Sequence, residues 1–132
     1  MQGLHLTADL HQCRCEPTWL LDADKGLAEC LRAVRTAGLQ GVAQLVHGFE
    51  SVAQQPSGYT ATVLLAESHV CLHTWPEHNA ATLDVYVCNF SADHSVKAQA
   101  LMNHLLAVFN AEQVEQHALQ RGVVHVPALA TA

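Results

Sequence analysis

Residues 81–88 alternate between two kinds of side chain, and this alternation limits the possible folds more than any other feature of the chain. Every second position is apolar: Leu83, Val85 and Val87. The positions between them are polar or small: Thr82, Asp84, Tyr86 and Cys88. Successive side chains of a strand lie on opposite faces, so this strand is buried on one face only. The pattern predicts a sheet that carries helices on a single face.

Other strands and helices are predicted from similar patterns. Alternating or β-branched runs bounded by turn residues predict strands over residues 3–13, 42–49, 59–66 and 69–75. A helix over 24–37, capped by Asp22 or Asp24, ends at Gly38. A second helix, capped by Ser91 or Asp93, carries its apolar stripe as far as Phe109.

The end of the chain is less determined by its pattern. Residues 111–120 fit either a helix or a last strand, and we expect an irregular tail over 123–132. The order of elements predicts an α+β fold, a two-layer α/β sandwich with a mainly antiparallel sheet and two main helices on one face.

Composition restricts the class of protein. Half of the 132 residues are apolar, which is enough for the core of one domain spanning residues 1–132. The formal charge of −6 and the lack of a basic stripe argue against nucleic acid as a partner. No long apolar run or signal peptide is visible, so we expect a cytoplasmic protein that does not bind membranes. The five cysteines form no regular framework, and we expect reduced thiols.

Polar chemistry is concentrated in residues 65–77, and two kinds of site were weighed there. A metal site could use Cys13 and Cys15, or His69, Cys71 and His73, but neither set contains a Cys-x-x-Cys pair or a helical His-x-x-x-His. A hydrolase could use Ser68 with His73, but no Gly-x-Ser-x-Gly elbow surrounds this serine. We therefore predict no metal ion at this site and no ordinary serine hydrolase.

Three strings at fixed spacing closely resemble the bacterial and archaeal S-adenosylmethionine decarboxylase proenzymes. They are Leu65-Ala66-Glu67-Ser68-His69, His73-Thr74-Trp75-Pro76-Glu77, and Leu83-Asp84-Val85 with Cys88. The resemblance extends more loosely over residues 5–13 and 47–49. It implies the fold of that family and a homodimer with active sites near the interface.

The resemblance implies an enzyme that makes its own cofactor. Ser68 would attack the carbonyl of Glu67, and the chain would split into residues 1–67 (the β chain) and 68–132 (the α chain). Ser68 would become a pyruvoyl group, which forms a Schiff base with the substrate amine and draws off electrons as carbon dioxide leaves. The product would supply aminopropyl groups for polyamine (spermidine) biosynthesis.

By position in the motifs, His73 would assist processing and Cys88 would return a proton to the substrate. Glu77 would hold the ribose of an adenosyl substrate and Phe49 would stack on adenine. Thr60 stands where the family usually has a serine that supports processing. A hydroxyl is retained there, so processing should survive.

The chain departs from the family in segments that could contact substrate. The loop 50–58 lacks the usual Pro-Gly-Val run, and residues 78–82 and 89–93 replace glycine-containing turns. The main interpretation is therefore a decarboxylase of S-adenosylmethionine. The alternatives are an ornithine or arginine decarboxylase with the same chemistry, or a non-enzymatic homologue that binds a ligand or a metal.

Overall fold

The computed structural model describes residues 2–89 and 92–122, in which six strands and three α-helices follow one another along the chain. The strands are β1 (Gly3–Cys13), β2 (Gly41–Gly48), β3 (Tyr59–Leu65), β4 (Ser68–Trp75), β5 (Ala80–Cys88) and β6 (Ala111–Arg121). The helices are α1 (Thr18–Leu21), α2 (Ala23–Thr36) and α3 (Ser95–Phe109), and a 3-10 turn spans Pro76–His78. The predicted tail 123–132 and the candidate cap Ser91 lie outside the described residues.

The strands form one antiparallel sheet in the order β2-β3-β4-β5-β1-β6. The first strand of the chain therefore lies between β5 and β6. The ambiguous segment 111–120 is a strand, because β1 offers a free edge along which residues 3–13 pair with residues 111–121. Asn110, with φ at 45°, reverses the chain between α3 and this strand.

The core lies between one face of the sheet and the helices. Leu83, Val85 and Val87 of β5 are buried there, at most 2% exposed, as their alternation predicts. They join a single apolar cluster with Val34 of α2 and Leu101 of α3. Full burial of one such side chain stabilises the fold by about 1.5–3 kcal/mol. Both main helices cover the same face, which confirms the predicted two-layer α+β sandwich.

The first main helix begins and ends as its sequence indicates. Asp22 is the N-cap, and its side chain accepts a hydrogen bond from the backbone N–H of Lys25. Gly38 follows the helix with φ at 81°, which a glycine adopts readily. Gly26 is required for packing, because a Cβ at this position would lie 2.1 Å from the hydroxyl of the buried Tyr59. The short helix α1 was not predicted.

The second main helix begins later than predicted. Its N-cap is His94, whose side chain makes no capping hydrogen bond. Asp93 instead accepts a hydrogen bond from the N–H of Ser95, two residues ahead, as in an Asx turn. The aspartate thus helps to begin the helix without being its N-cap.

The face of the sheet opposite the helices, here called the open face, carries no helix in the described part of the chain. Register and alternation place His5, Asp84, His69, His73 and Thr60 on it. Exposed apolar side chains lie on it too: Leu45, Leu64, Trp75 and Leu119. Among the described residues, no helix has the length and apolar character needed to cross a membrane.

Candidate active site

The Glu67–Ser68 peptide bond lies in the tight connection between β3 and β4. Leu65 pairs with Ser68, so only Ala66 and Glu67 form the loop. Glu67 has φ at 59°, in the left-handed region that normally suits glycine. For a residue with a Cβ this conformation costs about 1–2 kcal/mol. The bond predicted to break therefore follows a strained residue.

A backbone amide holds the hydroxyl of Ser68. Its Oγ accepts a hydrogen bond of 2.8 Å from the N–H of Cys88, the last residue of β5. Because the hydroxyl acts as acceptor in this bond, its own proton is left for another group. An N–H donated to an oxygen also favours the charged form of that oxygen. The contact both places the hydroxyl and favours its activation.

A cavity of about 480 Å³, here called the Ser68 cavity, adjoins this bond. It is lined by Glu67, Ser68 and Cys88 together with helix-side residues that include Gly38, His94 and Lys97. The Lys97 ammonium donates a hydrogen bond of 3.3 Å to the carbonyl of Gly38. A small substrate could thus approach Ser68 and Cys88 from one space that contains a positive charge.

Lys97 and His94 were missed when only the sequence was considered. Lys97 lies in the first turn of α3, where the partial positive charge of the helix terminus disfavours a cation. A lysine in that unfavourable position, soon after the motif cysteine, was the signal that could have drawn attention to it.

His73 and Thr60 pair across β4 and β3 at the other end of these strands. Their backbones are directly opposite, and Thr60 Oγ1 forms a hydrogen bond with His73 Nδ1. The bond orients the imidazole and leaves its Nε2 available. The hydroxyl of Thr60 thus occupies a position that can support a base at His73.

A second cavity of about 460 Å³, here called the His73 cavity, lies between this pair and the loop 50–58. Phe49, Trp75 and Glu77 line it with Thr60 and His73. Phe49 is 56% exposed and Trp75 40% exposed, so both aromatic side chains present surface to a ligand. Gly58 fits closely against the carbonyl of the buried Thr74, which fixes the start of β3 beside the cavity.

The predicted site residues thus fall into two groups within one chain. Glu67, Ser68 and Cys88 line the Ser68 cavity, whereas Thr60, His73, Glu77 and Phe49 line the His73 cavity. His73 follows Ser68 by five positions along β4, which corresponds to roughly 16 Å of strand. The two residues also lie on opposite faces of β4, since the side chains alternate. His73 cannot reach Ser68 of the same chain.

The cysteines first weighed as metal ligands are not assembled into a site. All five are free thiols. Burial, with a smaller contribution from Cys15, raises the pKa of Cys13 to about 11, so this thiol stays protonated near neutral pH. In the described part of the chain, the group of side chains close enough to share an ion is different: His5, His69 and Asp84.

Comparison with known proteins agrees with the resemblance. The family model of S-adenosylmethionine decarboxylase matches residues 4–122. The chain is 37% identical over 123 residues to an S-adenosylmethionine decarboxylase proenzyme of Aquifex aeolicus, covering 92% of this chain and 82% of that protein. It is 35% identical over 130 residues to the proenzyme of Persephonella marina, covering 98% and 89%.

A solved structure extends the agreement to the fold. The crystal structure of the adenosylmethionine decarboxylase from Aquifex aeolicus superimposes with a TM-score of 0.77 at 33% identity, covering 96% of each chain. Sequence and structure agree over nearly the whole length, and they match the main interpretation rather than its alternatives. The chain belongs to the S-adenosylmethionine decarboxylase family.

Proposed function

We propose that this chain is a self-cleaving, pyruvoyl-dependent decarboxylase that acts on S-adenosylmethionine and supplies aminopropyl groups for polyamine synthesis. The observation that carries the proposal is the setting of the Glu67–Ser68 bond. It follows a strained residue, its serine hydroxyl accepts a hydrogen bond from the Cys88 amide, and it borders a cavity. Family membership supplies the reaction class.

Processing would consume this bond in a balanced sequence of steps. Ser68 Oγ attacks the carbonyl carbon of Glu67, so that an ester forms and the amine of Ser68 is freed. Loss of the Ser68 α-proton then expels the Glu67 carboxylate. Uptake of water and release of ammonia leave a keto group at the new N-terminus of residues 68–132. The domain would remain one folded unit made of two chains.

The residues around Ser68 suit the group that would be formed there. A pyruvoyl group supplies a carbonyl that condenses with the substrate amine and an adjoining amide carbonyl that accepts electrons as carbon dioxide leaves. Cys88, buried at the end of β5 beside Ser68, would return a proton to the α-carbon. Lys97 adds a positive charge and His94 an imidazole at the same cavity.

The features of the His73 cavity favour an adenosyl substrate over ornithine or arginine. Exposed aromatic rings at Phe49 and Trp75 can stack on a purine, and aromatic faces also attract a sulfonium cation. Glu77 offers a carboxylate to ribose hydroxyls. Ornithine offers these rings an ammonium but no purine face on which they could stack.

Mass spectrometry of the denatured protein tests the processing step. We expect two fragments that meet between Glu67 and Ser68, the second carrying a pyruvoyl terminus that reacts with hydroxylamine or phenylhydrazine. Ser68→Ala should remain intact. A wild-type chain that stays uncut after long incubation would overturn the proposal, as would cleavage of Ser68→Ala at the same bond.

Carbon dioxide release tests the substrate. S-adenosylmethionine, ornithine and arginine are supplied in parallel to the cleaved protein, with Ser68→Ala as the control. We expect release from S-adenosylmethionine only. Release from ornithine or arginine alone would reassign the substrate while leaving the pyruvoyl chemistry in place. The Cys88→Ala variant should still cleave but should lose most of its turnover.

We also propose that the active site is completed by a second copy of the chain. His73 lies roughly 16 Å from Ser68 along β4 and Thr60 pairs with it from β3, so both can act on that bond only from another molecule. Pairing two open faces about a twofold axis would bring the His73 end of one β4 towards the Ser68 end of the other, where the imidazole of the second copy would reach around the β3–β4 turn to the hydroxyl on the helix side. The exposed apolar residues of the open face support such a homodimer.

Co-expression of two defective chains tests this arrangement. Ser68→Ala and His73→Gln chains, each uncut when expressed alone, are produced together with different tags. In a mixed dimer the His73→Gln chain keeps its own Ser68 and receives His73 from its partner, so we expect it to be cleaved. If it stays intact in purified mixed dimers, His73 does not act across the interface.

A further inference from the structure

We propose that Lys97 recognises the α-carboxylate of the substrate and makes the Ser68 cavity specific for the amino acid rather than for the amine that it becomes. The inference rests on the proposed function, because it concerns how that substrate is oriented at residue 68. It assigns a role to a residue of α3 that lies outside the three strings that carry the family resemblance.

The chemistry at residue 68 determines where the carboxylate must lie. The substrate amine would condense with the carbonyl formed from Ser68, and the carboxylate is bonded to the same carbon as this amine. The carboxylate therefore enters the Ser68 cavity, while the adenosyl group would extend towards the His73 cavity of the second copy. A charge that leaves water in this way is costly unless it gains a partner of opposite charge.

Lys97 is the cation that the Ser68 cavity provides. Among the described residues that line the cavity, Lys97 is the only lysine or arginine, and Glu67 contributes a carboxylate. Cleavage would add a second carboxylate, at the new C-terminus of Glu67. Without Lys97, a substrate carboxylate would therefore meet two negative charges and no permanent positive one.

The ammonium of Lys97 is held at the cavity but is not neutralised there. Its Nζ donates a hydrogen bond of 3.3 Å to the carbonyl of Gly38, which also lines the cavity. This bond is longer than the usual range of about 2.7–3.2 Å and ends on an uncharged oxygen, so it is weak. In the part of the chain that the structure describes, Arg14 and Arg32 form ion pairs with carboxylates, whereas Lys97 forms none. The remaining protons of the ammonium are thus left for a ligand.

The position of Lys97 on α3 also suits an anionic ligand. The residue lies in the first turn of the helix, whose positive end disfavours a cation. His94, the N-cap, lines the same cavity, so this positive end faces the space that the substrate would enter. A carboxylate bound there would interact favourably with both the ammonium and the helix terminus. The unfavourable position of Lys97 in the free protein would become favourable when substrate binds.

The contact should be strongest before the reaction and should disappear with it. As the carbon–carbon bond breaks, its electron pair moves towards the carbonyl groups at residue 68, and the carboxylate leaves as neutral carbon dioxide. Lys97 would therefore stabilise the bound substrate more than the transition state, and it would not hold the product, which is an amine. It would act as a specificity-determining residue that favours binding of the substrate over binding of the product.

Steady-state kinetics of the cleaved Lys97→Met protein test this role. The methionine keeps an apolar stem but removes the charge. We expect the KM for S-adenosylmethionine to rise by about 10–100-fold, the effect of losing a hydrogen bond to a charged group, while kcat does not fall. The inhibition constant of decarboxylated S-adenosylmethionine should stay at its wild-type value.

Two further variants are the controls. Lys97→Arg keeps the charge and should keep a KM close to that of the wild type. Lys25→Met removes a lysine of α2 that does not line the cavity, so it should leave KM unchanged. This second control separates a contact with the substrate from a general loss of positive charge.

A measurement on the wild type guards against a variant that misfolds or stays uncut. The methyl ester of S-adenosylmethionine keeps the amine and the adenosyl group but has no carboxylate charge. Its inhibition constant should exceed the KM of the acid by about 10-fold or more. Equal affinity for ester and acid would overturn the inference, as would a lower kcat or weaker product inhibition in cleaved Lys97→Met. A wild type that releases no carbon dioxide from S-adenosylmethionine would instead overturn the proposed function, and the inference with it.

Discussion

Glu67 shows how a single residue can combine a structural cost with a function. It occupies the left-handed region without being glycine, immediately before the bond that we propose is cut. Strain of this kind persists only where the surrounding structure enforces it, here through the Leu65–Ser68 pair on one side of the loop. Attack by Ser68 would release the backbone strain at Glu67, so this strain can raise the rate of cleavage.

Two substitutions at Glu67 separate the backbone from the side chain. Both Glu67→Ala and Glu67→Gly remove the carboxylate, but only glycine removes the strain. If all of the roughly 1–2 kcal/mol is released in the transition state, the glycine variant should cleave about 5–30-fold more slowly than the alanine variant. Cleavage is followed after refolding of urea-denatured proenzyme. Equal half-times in the two variants would show that strain does not drive the reaction.

For single residues, the sequence predicted the members of the site wherever a motif has fixed spacing. Ser68, His73 and Cys88 could be named in advance, but the distance between the first two could not. In the structure, Ser68 and His73 lie on opposite faces of β4. The motif alone does not reveal that His73 would have to act from another chain. His5, Lys97 and His94 belong to no quoted role, so only the sheet register and the packing of α3 brought them to attention.

Between elements, Glu29 joins the two main helices. This carboxylate of α2 is buried, accepts hydrogen bonds from Arg32 on its own helix, and accepts one of 2.7 Å from His104 on α3. Burial alone would raise the pKa of Glu29, but the hydrogen bonds and positive charges of Arg32 and His104 outweigh it and lower the pKa below its usual 4.5. The charged carboxylate thus stabilises the helix pair.

This contribution should depend on pH in a defined direction. A carboxylate with a lowered pKa in the folded state stabilises the protein above its unfolded pKa and loses that effect as pH falls through the folded value. In the Ser68→Ala background, which keeps one intact chain, Glu29→Gln should lower the free energy of unfolding by about 1–3 kcal/mol at pH 6. Urea denaturation at several pH values measures the difference.

The difference in stability between the Glu29→Gln variant and its parent chain should shrink as pH falls below 4.5, because the unfolded chain is protonated there first and the folded carboxylate only at lower pH. Glu112→Gln is the control, since its partner Arg14 is exposed and such pairs contribute only about 0–1 kcal/mol. If the loss of unfolding free energy in Glu29→Gln stays constant down to pH 3, the packing of this side chain and not its charge joins the two helices.

Elements with a strong internal pattern were predicted within a few residues, and those set by tertiary partners were not. The strand over 81–88 and the helix over 24–37 carry their own alternation, caps and stops. Residues 111–121 are exposed along almost their whole length and show no apolar face, so only pairing with β1 decides that they form a strand. The short helix α1 depends similarly on packing against its neighbours rather than on its own sequence.

For the whole molecule, the proposed homodimer depends on the open face. Leu64 is 47% exposed on this face near the end of β3, opposite His69 of β4. In a symmetric dimer a substitution at Leu64 is present in both chains, and each buried leucine contributes about 1.5–3 kcal/mol. A charged residue at this position should therefore remove about 3–6 kcal/mol of association free energy. Leu64→Asp should therefore dissociate the proposed dimer at least about 100-fold more readily in sedimentation velocity experiments.

Val96→Asp is the matched control, because Val96 is 82% exposed but lies on α3, on the helix side of the sheet. It should leave the dimer intact. The Leu64→Asp chain should also cleave poorly, since His73 of a partner would be missing. An unchanged dimer in this variant would place the interface elsewhere, on the helices or on the free edges of β2 and β6.

The strand order has a consequence for the lifetime of the mature enzyme. A cut between residues 67 and 68 would leave β1, β2 and β3 on one piece and β4, β5 and β6 on the other, with β1 held between β5 and β6. The pieces cannot separate without breaking three strand pairs, namely β3 with β4, β5 with β1, and β1 with β6. Once denatured, they must meet again by diffusion, so recovery becomes second order in protein concentration, whereas the uncut precursor folds alone. Maturation would thus convert a unimolecular folding reaction into a bimolecular one.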